Sequence, residues 1–164
     1  MAKPRPNFLA ILQRLREHRI EFIVVGGVCA VLHGAPIATF DLDVVHSRAP
    51  DNINRLLAAL ESLEAHYREP VSRKIKPNQS HLSSPGHQLL MTCFGPLDLW
   101  GVIGAGRGYG DLLVESSEME TAAGLRVRVL NLPALIKSKE EAGGEKDQAV
   151  LPTLRRTLQE KSKI

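Results

Sequence analysis

The pattern of apolar and polar residues along this chain predicts helices and short strands in alternation. Apolar residues at helical spacing, with charged residues on the other face, predict a first helix that Asn7 can cap. Short apolar or alternating runs predict strands at residues 22–25, 41–45, 88–94, 97–100 and 126–130. Further helices are predicted at residues 28–33, from Pro50 onward, at 132–141 and at 146–158.

Two segments lack either pattern. Residues 71–87 are polar and contain proline and glycine, so we expect a long loop there. The run GVIGAGRGYG, residues 101–110, does not meet the GxGxxG spacing, since Tyr109 stands where the last glycine belongs, and it has no P-loop lysine. We expect a flexible turn there that helps to shape an acceptor site.

The alternation of helices with short strands predicts an α/β or α+β fold with a mixed sheet. A chain of 164 residues predicts a single domain, residues 1–164, with a core at about 20–130 and a C-terminal helical part at 131–164. A chain of this length buries enough surface to need no disulfide or structural zinc.

Composition narrows the functional classes. The net charge of +3 permits a nucleotide or RNA partner without requiring one, and the 4% aromatic content disfavours a stacking platform for single strands. Cys29 and Cys93 form no CxxC pair, so we expect buried free thiols in a reducing, cytoplasmic setting rather than zinc or redox chemistry. The N-terminus lacks a secretory signal and the apolar run 22–32 is too short for a bilayer, so no membrane partner is expected.

Two aspartates at residues 41 and 43, in the run DLD, are the main indication of function. In a strand Asp41 and Asp43 share a face, and their repulsion is about 4 kcal/mol at about 4 Å and an effective dielectric of about 20. A divalent cation removes this repulsion. The alternative is that DLD forms the polar end of an edge strand. The apolar neighbours Leu42 and Val44 favour the first interpretation, since a charge among them is costly unless it is paired or metal-bound.

Two further features complete a candidate site. Asp98, between Leu97 and Leu99, joins the aspartate pair if its strand lies beside the second strand. Gly26 and Gly27 follow the first strand, where glycine lets backbone N–H groups approach a phosphate closely, although a plain strand-to-helix turn explains them as well. Three carboxylates with two Mg²⁺ ions and a triphosphate are the components of in-line nucleotidyl transfer.

The order of these motifs resembles the polymerase-β-like nucleotidyltransferase fold. A diglycine, a short helix, DLD and a later acid in PLDLW look like the minimal bacterial nucleotidyltransferases and the abortive-infection-type nucleotidyltransferase toxins, over residues 22–158. The resemblance implies a mixed sheet flanked by helices, with helices at the C-terminus. It also implies that Gly26 and Gly27 hold the triphosphate, while Asp41, Asp43 and Asp98 bind two Mg²⁺ ions.

The C-terminal segment IKSKEEAGGEKDQAVLPTL is similar to the closing pattern of that family. The resemblance implies that Lys139, Lys146 and Asp147 lie near the nucleotide, although charged residues on exposed helix faces are also routine. The chain departs from its relatives in lacking three charges that they often carry. These positions are occupied here by Ile37, Gly144 and Val150.

The resemblance implies transfer of a nucleoside monophosphate from an NTP to a hydroxyl, with release of pyrophosphate. The acceptor is open between a tRNA or other RNA, a partner protein and a small molecule, and a toxin–antitoxin role is implied by the family likeness alone. The rival hypothesis is a non-catalytic nucleotide-binding or antitoxin-like module with a degenerate site. A third alternative is a small α/β interaction protein with acids on its surface.

Overall fold

A seven-stranded mixed sheet forms the centre of the molecule in a computed structural model that describes residues 5–163. The strands are β1 Phe22–Val25, β2 Leu42–His46, β3 His66–Tyr67, β4 His87–Thr92, β5 Gly95–Trp100, β6 Val102–Ile103, β7 Arg107–Gly108, β8 Ser116–Glu120 and β9 Arg126–Leu130. The sheet has the order β3-β4-β5-β2-β1-β9-β8, and β6 pairs with β7 separately. The helices are α1 Phe8–Glu17, α2 Gly26–Leu32, α3 Pro50–Ser62, α4 Gln79–Ser83, α5 Tyr109–Leu113, α6 Leu132–Ala142 and α7 Glu145–Ser162.

Three central pairings make the sheet mixed. Strand β1 runs antiparallel to β2 and parallel to β9, while β2 and β5 are parallel neighbours. The four residues of β1 are all buried, which explains their uninterrupted apolar run. The predicted mixed α/β fold with C-terminal helices is therefore confirmed.

The core is formed where amphipathic helices cover the sheet. Helix α1 begins after Asn7, whose Oδ1 accepts a hydrogen bond from the N–H of Ala10 at 3.1 Å, as its sequence predicts. It buries Ile11, Leu12 and Leu15. Helix α3 buries a similar stripe, formed by Ile53, Leu56, Ala59 and Leu60. Among the described residues, none of the helices has the length and apolar character needed to cross a membrane.

Several predicted boundaries were wrong. Helix α2 begins at Gly26 rather than at residue 28, because Gly26 and Gly27 both join its first turn. The segment 71–87 is not a continuous loop: it contains α4, whose first turn is capped by Asn78, and it ends where β4 starts. The glycine-rich segment folds as the β6–β7 hairpin and the start of α5.

Short or polar elements escaped prediction altogether. Strand β3 has only two residues, and β8 has no alternation of apolar and polar residues. Neither sequence therefore shows the period of a strand. Helix α7, predicted at 146–158, extends from Glu145 to Ser162 and contains Pro152. Both cysteines are free, but Cys93 is exposed rather than buried because it lies between β4 and β5.

Candidate functional site

One face of the sheet carries a row of side chains from adjacent strands. The parallel register of β2 and β5 sets Asp43 directly opposite Asp98. The row continues to Val25 on β1, opposite Asp43, and to Leu89 on β4, opposite Asp98. Side chains two residues apart share a face, so His87, two residues before Leu89, also points to this side of the sheet. One ligand atom each from Asp43, His87 and Asp98 lies within 4.8 Å of the others.

Asp98 is held from two sides. Its side chain is only 7% exposed, and Nη2 of Arg68 donates to its Oδ1 at 2.7 Å. Its other oxygen, Oδ2, lies 3.4 Å from Nε2 of His87. Arg68 directly follows β3, and its backbone N–H donates to the carbonyl of Leu89 at 3.1 Å. This backbone bond anchors Arg68 at the end of the row, so its guanidinium reaches across Leu89 to Asp98.

Asp43 is half-buried beside Asp98 and is held by a neutral donor rather than by a cation. The indole Nε1–H of Trp100 donates to Oδ1 of Asp43 at 3.0 Å. Burial raises the pKa of Asp43 from 3.8 to about 6, against the lowering effect of the Trp100 hydrogen bond, and the negative charges of Asp98 and Asp41 raise it further. The ionised carboxylate therefore lacks sufficient positive charge around it, as expected for a group that binds a cation.

Asp41 lies at the rim of this cluster. It precedes the first residue of β2, its side chain is 43% exposed, and its Oδ1 lies 3.4 Å from Nη1 of Arg68. Arg68 thus links Asp41 to Asp98. The structure brings Asp43 and Asp98 together as the sequence indicated, and leaves Asp41 outside the trio that they form with His87. A metal-binding role for Asp41 stays a prediction.

The diglycine packs closely against the site. Gly26 has a φ of +67°, and a Cβ at this position would lie 2.5 Å from Oδ2 of Asp43. A Cβ at Gly27 would lie 2.4 Å from Oγ1 of Thr39. A Cβ at either position would therefore force the Asp43 or the Thr39 side chain to move, and the backbone at Gly26 borders the Asp43 carboxylate directly.

A cavity of about 150 Å³ opens beside Asp43. Its walls come from the sheet and from the two C-terminal helices, and include Gly26, Asp43, Trp100, Leu135, Lys139 and Asp147. Nζ of Lys139 lies 3.2 Å from Oδ1 of Asp147, across the junction between α6 and α7. Lys146 is exposed and does not line the cavity. Of the three predicted C-terminal residues, two therefore face the cavity that Asp43 borders.

Three residues of the site were missed by sequence reasoning. Trp100 lies two residues after Asp98 in a predicted strand, so alternation alone could have placed it on the same face. His87 begins β4 after a segment predicted to be a loop, and only the register with β5 brings it to Asp98. Arg68 follows a two-residue strand and has no local signal.

The residues present fit a divalent metal ion. Carboxylate oxygens and imidazole nitrogen are common ligands of such ions, and the three candidate ligand atoms are close together. The absence of a Cβ at Gly26 lets the Asp43 carboxylate lie directly against the backbone at the edge of the cavity. In the described part of the chain, these acids outnumber the guanidinium groups that contact them, since Arg68 alone pairs with both Asp41 and Asp98, and this also favours a cation.

Comparison with known proteins identifies the fold. No family model and no curated protein sequence matches this chain. Among solved structures, a candidate nucleotidyltransferase of Thermotoga maritima matches with a TM-score of 0.58 and 19% identity, over 93% of this chain and 91% of that one. The lincosamide antibiotic adenylyltransferase LnuA, solved with lincomycin bound, matches with a TM-score of 0.61 and 14% identity, over 90% and 94%.

A third match is the antibiotic-resistance factor ANT(2'')-Ia, whose solution structure gives a TM-score of 0.57 and 17% identity, over 92% of this chain and 82% of that one. The narrower resemblance to abortive-infection-type toxins stays a prediction. Identities this low establish architecture rather than activity. On that basis the chain has a nucleotidyltransferase fold.

Proposed function

We propose that this chain is a metal-dependent nucleotidyltransferase that moves a nucleoside monophosphate from an NTP to a hydroxyl group. The observation that best supports the proposal is the direct opposition of Asp43 and Asp98 on adjacent parallel strands, next to a cavity bordered by Gly26. A buried carboxylate such as Asp98 and a half-buried one such as Asp43 are costly side by side unless a cation lies near them. Their position in a nucleotidyltransferase fold suggests that this cation serves phosphoryl chemistry.

In this proposal Asp43 and Asp98 hold the metal near the reacting phosphate, and Asp41, at the exposed rim, contributes to a second ion. Mg²⁺ is the ion that the resemblance implies. A bound divalent ion supplies charge neutralisation of the triphosphate and lowers the pKa of the acceptor hydroxyl. Arg68 orients Asp98 through Oδ1 and leaves Oδ2 directed toward the site.

The triphosphate is proposed to lie against the backbone at Gly26, which lines the cavity, and at Gly27, which follows it and packs against the Thr39 side chain. Lys139 faces the same cavity and exchanges its contact with Asp147 for a phosphate oxygen. Lys146 approaches from the exposed side. These contacts position the α-phosphorus in line with the acceptor and the leaving pyrophosphate.

The transfer step forms one bond and breaks one. The acceptor oxygen bonds to the α-phosphorus, while the bond from that phosphorus to the bridging oxygen breaks and pyrophosphate leaves with the electron pair. The hydroxyl proton passes to a carboxylate of the cluster. We propose a small-molecule hydroxyl as the first acceptor class, because LnuA is a lincosamide antibiotic adenylyltransferase solved with lincomycin bound and ANT(2'')-Ia is an antibiotic-resistance factor. An RNA end, including tRNA, and a protein hydroxyl of a toxin–antitoxin pair are the other classes.

The test is transfer of label from each α-³²P-labelled NTP, with Mg²⁺ or Mn²⁺, to aminoglycosides, lincosamides, tRNA and cell protein. Asp43→Asn and Asp98→Asn are compared with Asp51→Asn, an exposed acid in the first turn of α3. We expect label transfer by the wild type and by Asp51→Asn, and a loss of about a hundredfold or more in the other two variants. Equal transfer by all four proteins contradicts the proposed site.

A second candidate is a nucleotide-binding module without transfer activity. It is favoured by the pairing of Lys139 with Asp147, which leaves no unpaired cation at that wall of the cavity among the described residues, and by the uncharged Ile37, Gly144 and Val150. Metal-dependent NTP binding without label transfer to any acceptor supports this candidate over the enzyme.

A further inference from the structure

We propose that His87 is a metal ligand together with Asp43 and Asp98, so that the site is a mixed nitrogen and oxygen site that prefers Mn²⁺ to Mg²⁺. The inference rests on the proposed function for the presence of a metal at this position. It goes beyond that function in naming an unpredicted ligand and the class of ion that this ligand selects.

The register of three strands brings the ligands together. His87 stands opposite Trp100, and Asp98 lies two residues before Trp100 on the same strand face. Nε2 of His87 lies 3.4 Å from Oδ2 of Asp98, and the ligand atom of Asp43 is within 4.8 Å of both. Two ligand atoms on one ion at about 2.1 Å lie roughly 3 to 4 Å apart, so small side-chain shifts suffice.

Trp100 and Arg68 orient the three proposed ligands. The His87 ring stacks on Trp100, with ring centroids 3.4 Å apart and an interplanar angle of 14°. The same indole donates to Oδ1 of Asp43 at 3.0 Å, while Arg68 binds Oδ1 of Asp98 at 2.7 Å. In both carboxylates one oxygen is thus held and the other is available. Contacts that fix the non-ligating atoms of metal-binding side chains are typical of built sites.

A histidine–aspartate ion pair is the simpler explanation of the His87 position. It explains the 3.4 Å separation from Asp98, but it does not neutralise the carboxylate of Asp43, which has a ligand atom within 4.8 Å of the same imidazole. Asp41 at the rim adds a third acid beside Asp43 and Asp98. Among residues 5–163 the guanidinium that contacts these acids is that of Arg68, and it is already shared between Asp41 and Asp98. An ion between the three ligands accounts for all of these contacts together.

The donor set determines the preferred ion. Mg²⁺ takes oxygen ligands and water in octahedral geometry, whereas imidazole nitrogen favours first-row transition metals. Mn²⁺ accepts carboxylate and phosphate oxygen as well as one imidazole, so it suits a site that also binds a triphosphate. The imidazole of His87 therefore makes the site more selective for Mn²⁺ than an all-carboxylate site.

The test measures the ligand directly by pulsed electron paramagnetic resonance of the full chain loaded with Mn²⁺. We expect nitrogen modulation from an imidazole in the wild type, and its loss in His87→Gln. His18→Gln, at the end of α1 and outside the candidate trio, is the matched control and keeps the signal. If the wild-type spectrum shows no nitrogen coupling, or if His87→Gln retains it, the inference is overturned.

Calorimetric titration with Mn²⁺ and with Mg²⁺ gives the second readout. We expect the wild type to bind Mn²⁺ at least about tenfold more tightly than Mg²⁺, and His87→Gln to lose about tenfold for Mn²⁺ but less than about threefold for Mg²⁺. His87→Asp makes all three ligands carboxylates and should shift the metal preference of the site toward Mg²⁺. Equal losses for both ions in His87→Gln contradict the inference.

Failure of the inference and failure of the proposed function are distinguishable. Neither readout requires turnover, so a chain that transfers no nucleotide still supports the inference if Mn²⁺ couples to His87. Conversely, if label is transferred with Mg²⁺ but the Mn²⁺ spectrum shows no nitrogen coupling, the inference is contradicted while the proposed function is supported. If His87→Gln does not fold, the wild-type spectrum of protein labelled with ¹⁵N-histidine decides whether an imidazole coordinates the ion.

Discussion

Replacing Asp43 by asparagine is expected to make the metal-free protein more stable at neutral pH. Asparagine keeps a side-chain oxygen that accepts the Trp100 hydrogen bond, and it removes a negative charge that burial and Asp98 both disfavour. The pKa of Asp43 rises from 3.8 to about 6 in the folded chain. A shift of about two units corresponds to about 3 kcal/mol between the protonated and ionised forms.

The sign of the pH dependence follows from this raised pKa. The folded state binds the Asp43 proton more tightly than the unfolded state, so the stabilisation by that proton is full below about pH 4 and is lost as pH rises through about 6. Asparagine does not titrate. The variant should therefore match the wild type near pH 4 and exceed it by about 3 kcal/mol, or about 6–12 °C in Tm, at pH 8.

The assay is urea and thermal unfolding at pH 4, 6 and 8 in the presence of a chelator, followed by the same series with Mn²⁺ or Mg²⁺. A divalent ion should stabilise the wild type and leave Asp43→Asn unchanged, because binding to the folded state alone raises its stability. A variant that is no more stable than the wild type at pH 8 without metal refutes the reasoning. So does a metal-dependent rise in the Tm of Asp43→Asn equal to that of the wild type.

Three further changes test other parts of the site. Gly26→Ala should unfold more easily than Gly34→Ala by about 1–3 kcal/mol in urea titrations, because both positions have positive φ but only Gly26 borders the Asp43 carboxylate. Arg68→Met should lower stability by about 2 kcal/mol and weaken metal binding measured by calorimetry, since it leaves the Asp98 charge uncompensated and removes the contact that orients this carboxylate. Lys139→Met should weaken NTP binding about tenfold in fluorescence titration and leave metal binding unchanged.

The sequence was sufficient to predict the elements that carry the acids. Apolar runs around Asp43 and Asp98 predicted two strands, and the condition that these strands be neighbours is met by the parallel pairing of β2 and β5. Gly26 was identified by its place after a buried strand, and its close approach to Asp43 gives a physical reason for glycine. Local patterns were informative here because each residue lies within or next to a regular apolar strand.

The rest of the site depends on register between distant strands. His87 reaches Asp98 only because β4 pairs antiparallel with β5, and the preceding segment has no periodic pattern from which the start of β4 follows. Arg68 lies beyond a strand too short to show alternation. The metal-binding prediction for Asp41 assumed that the strand extended to it, whereas β2 begins one residue later and leaves its side chain at the rim.

The parallel pairing of β2 with β5 also determines when the site can form during synthesis. Asp43 and Asp98 belong to strands separated by α3, β3, α4 and β4, so a ribosome-bound chain that ends before β5 presents one acid without its partner. Contacts between such distant segments form only after the intervening chain has closed a long loop. The pair of facing carboxylates is therefore complete only after translation and folding have both passed β5.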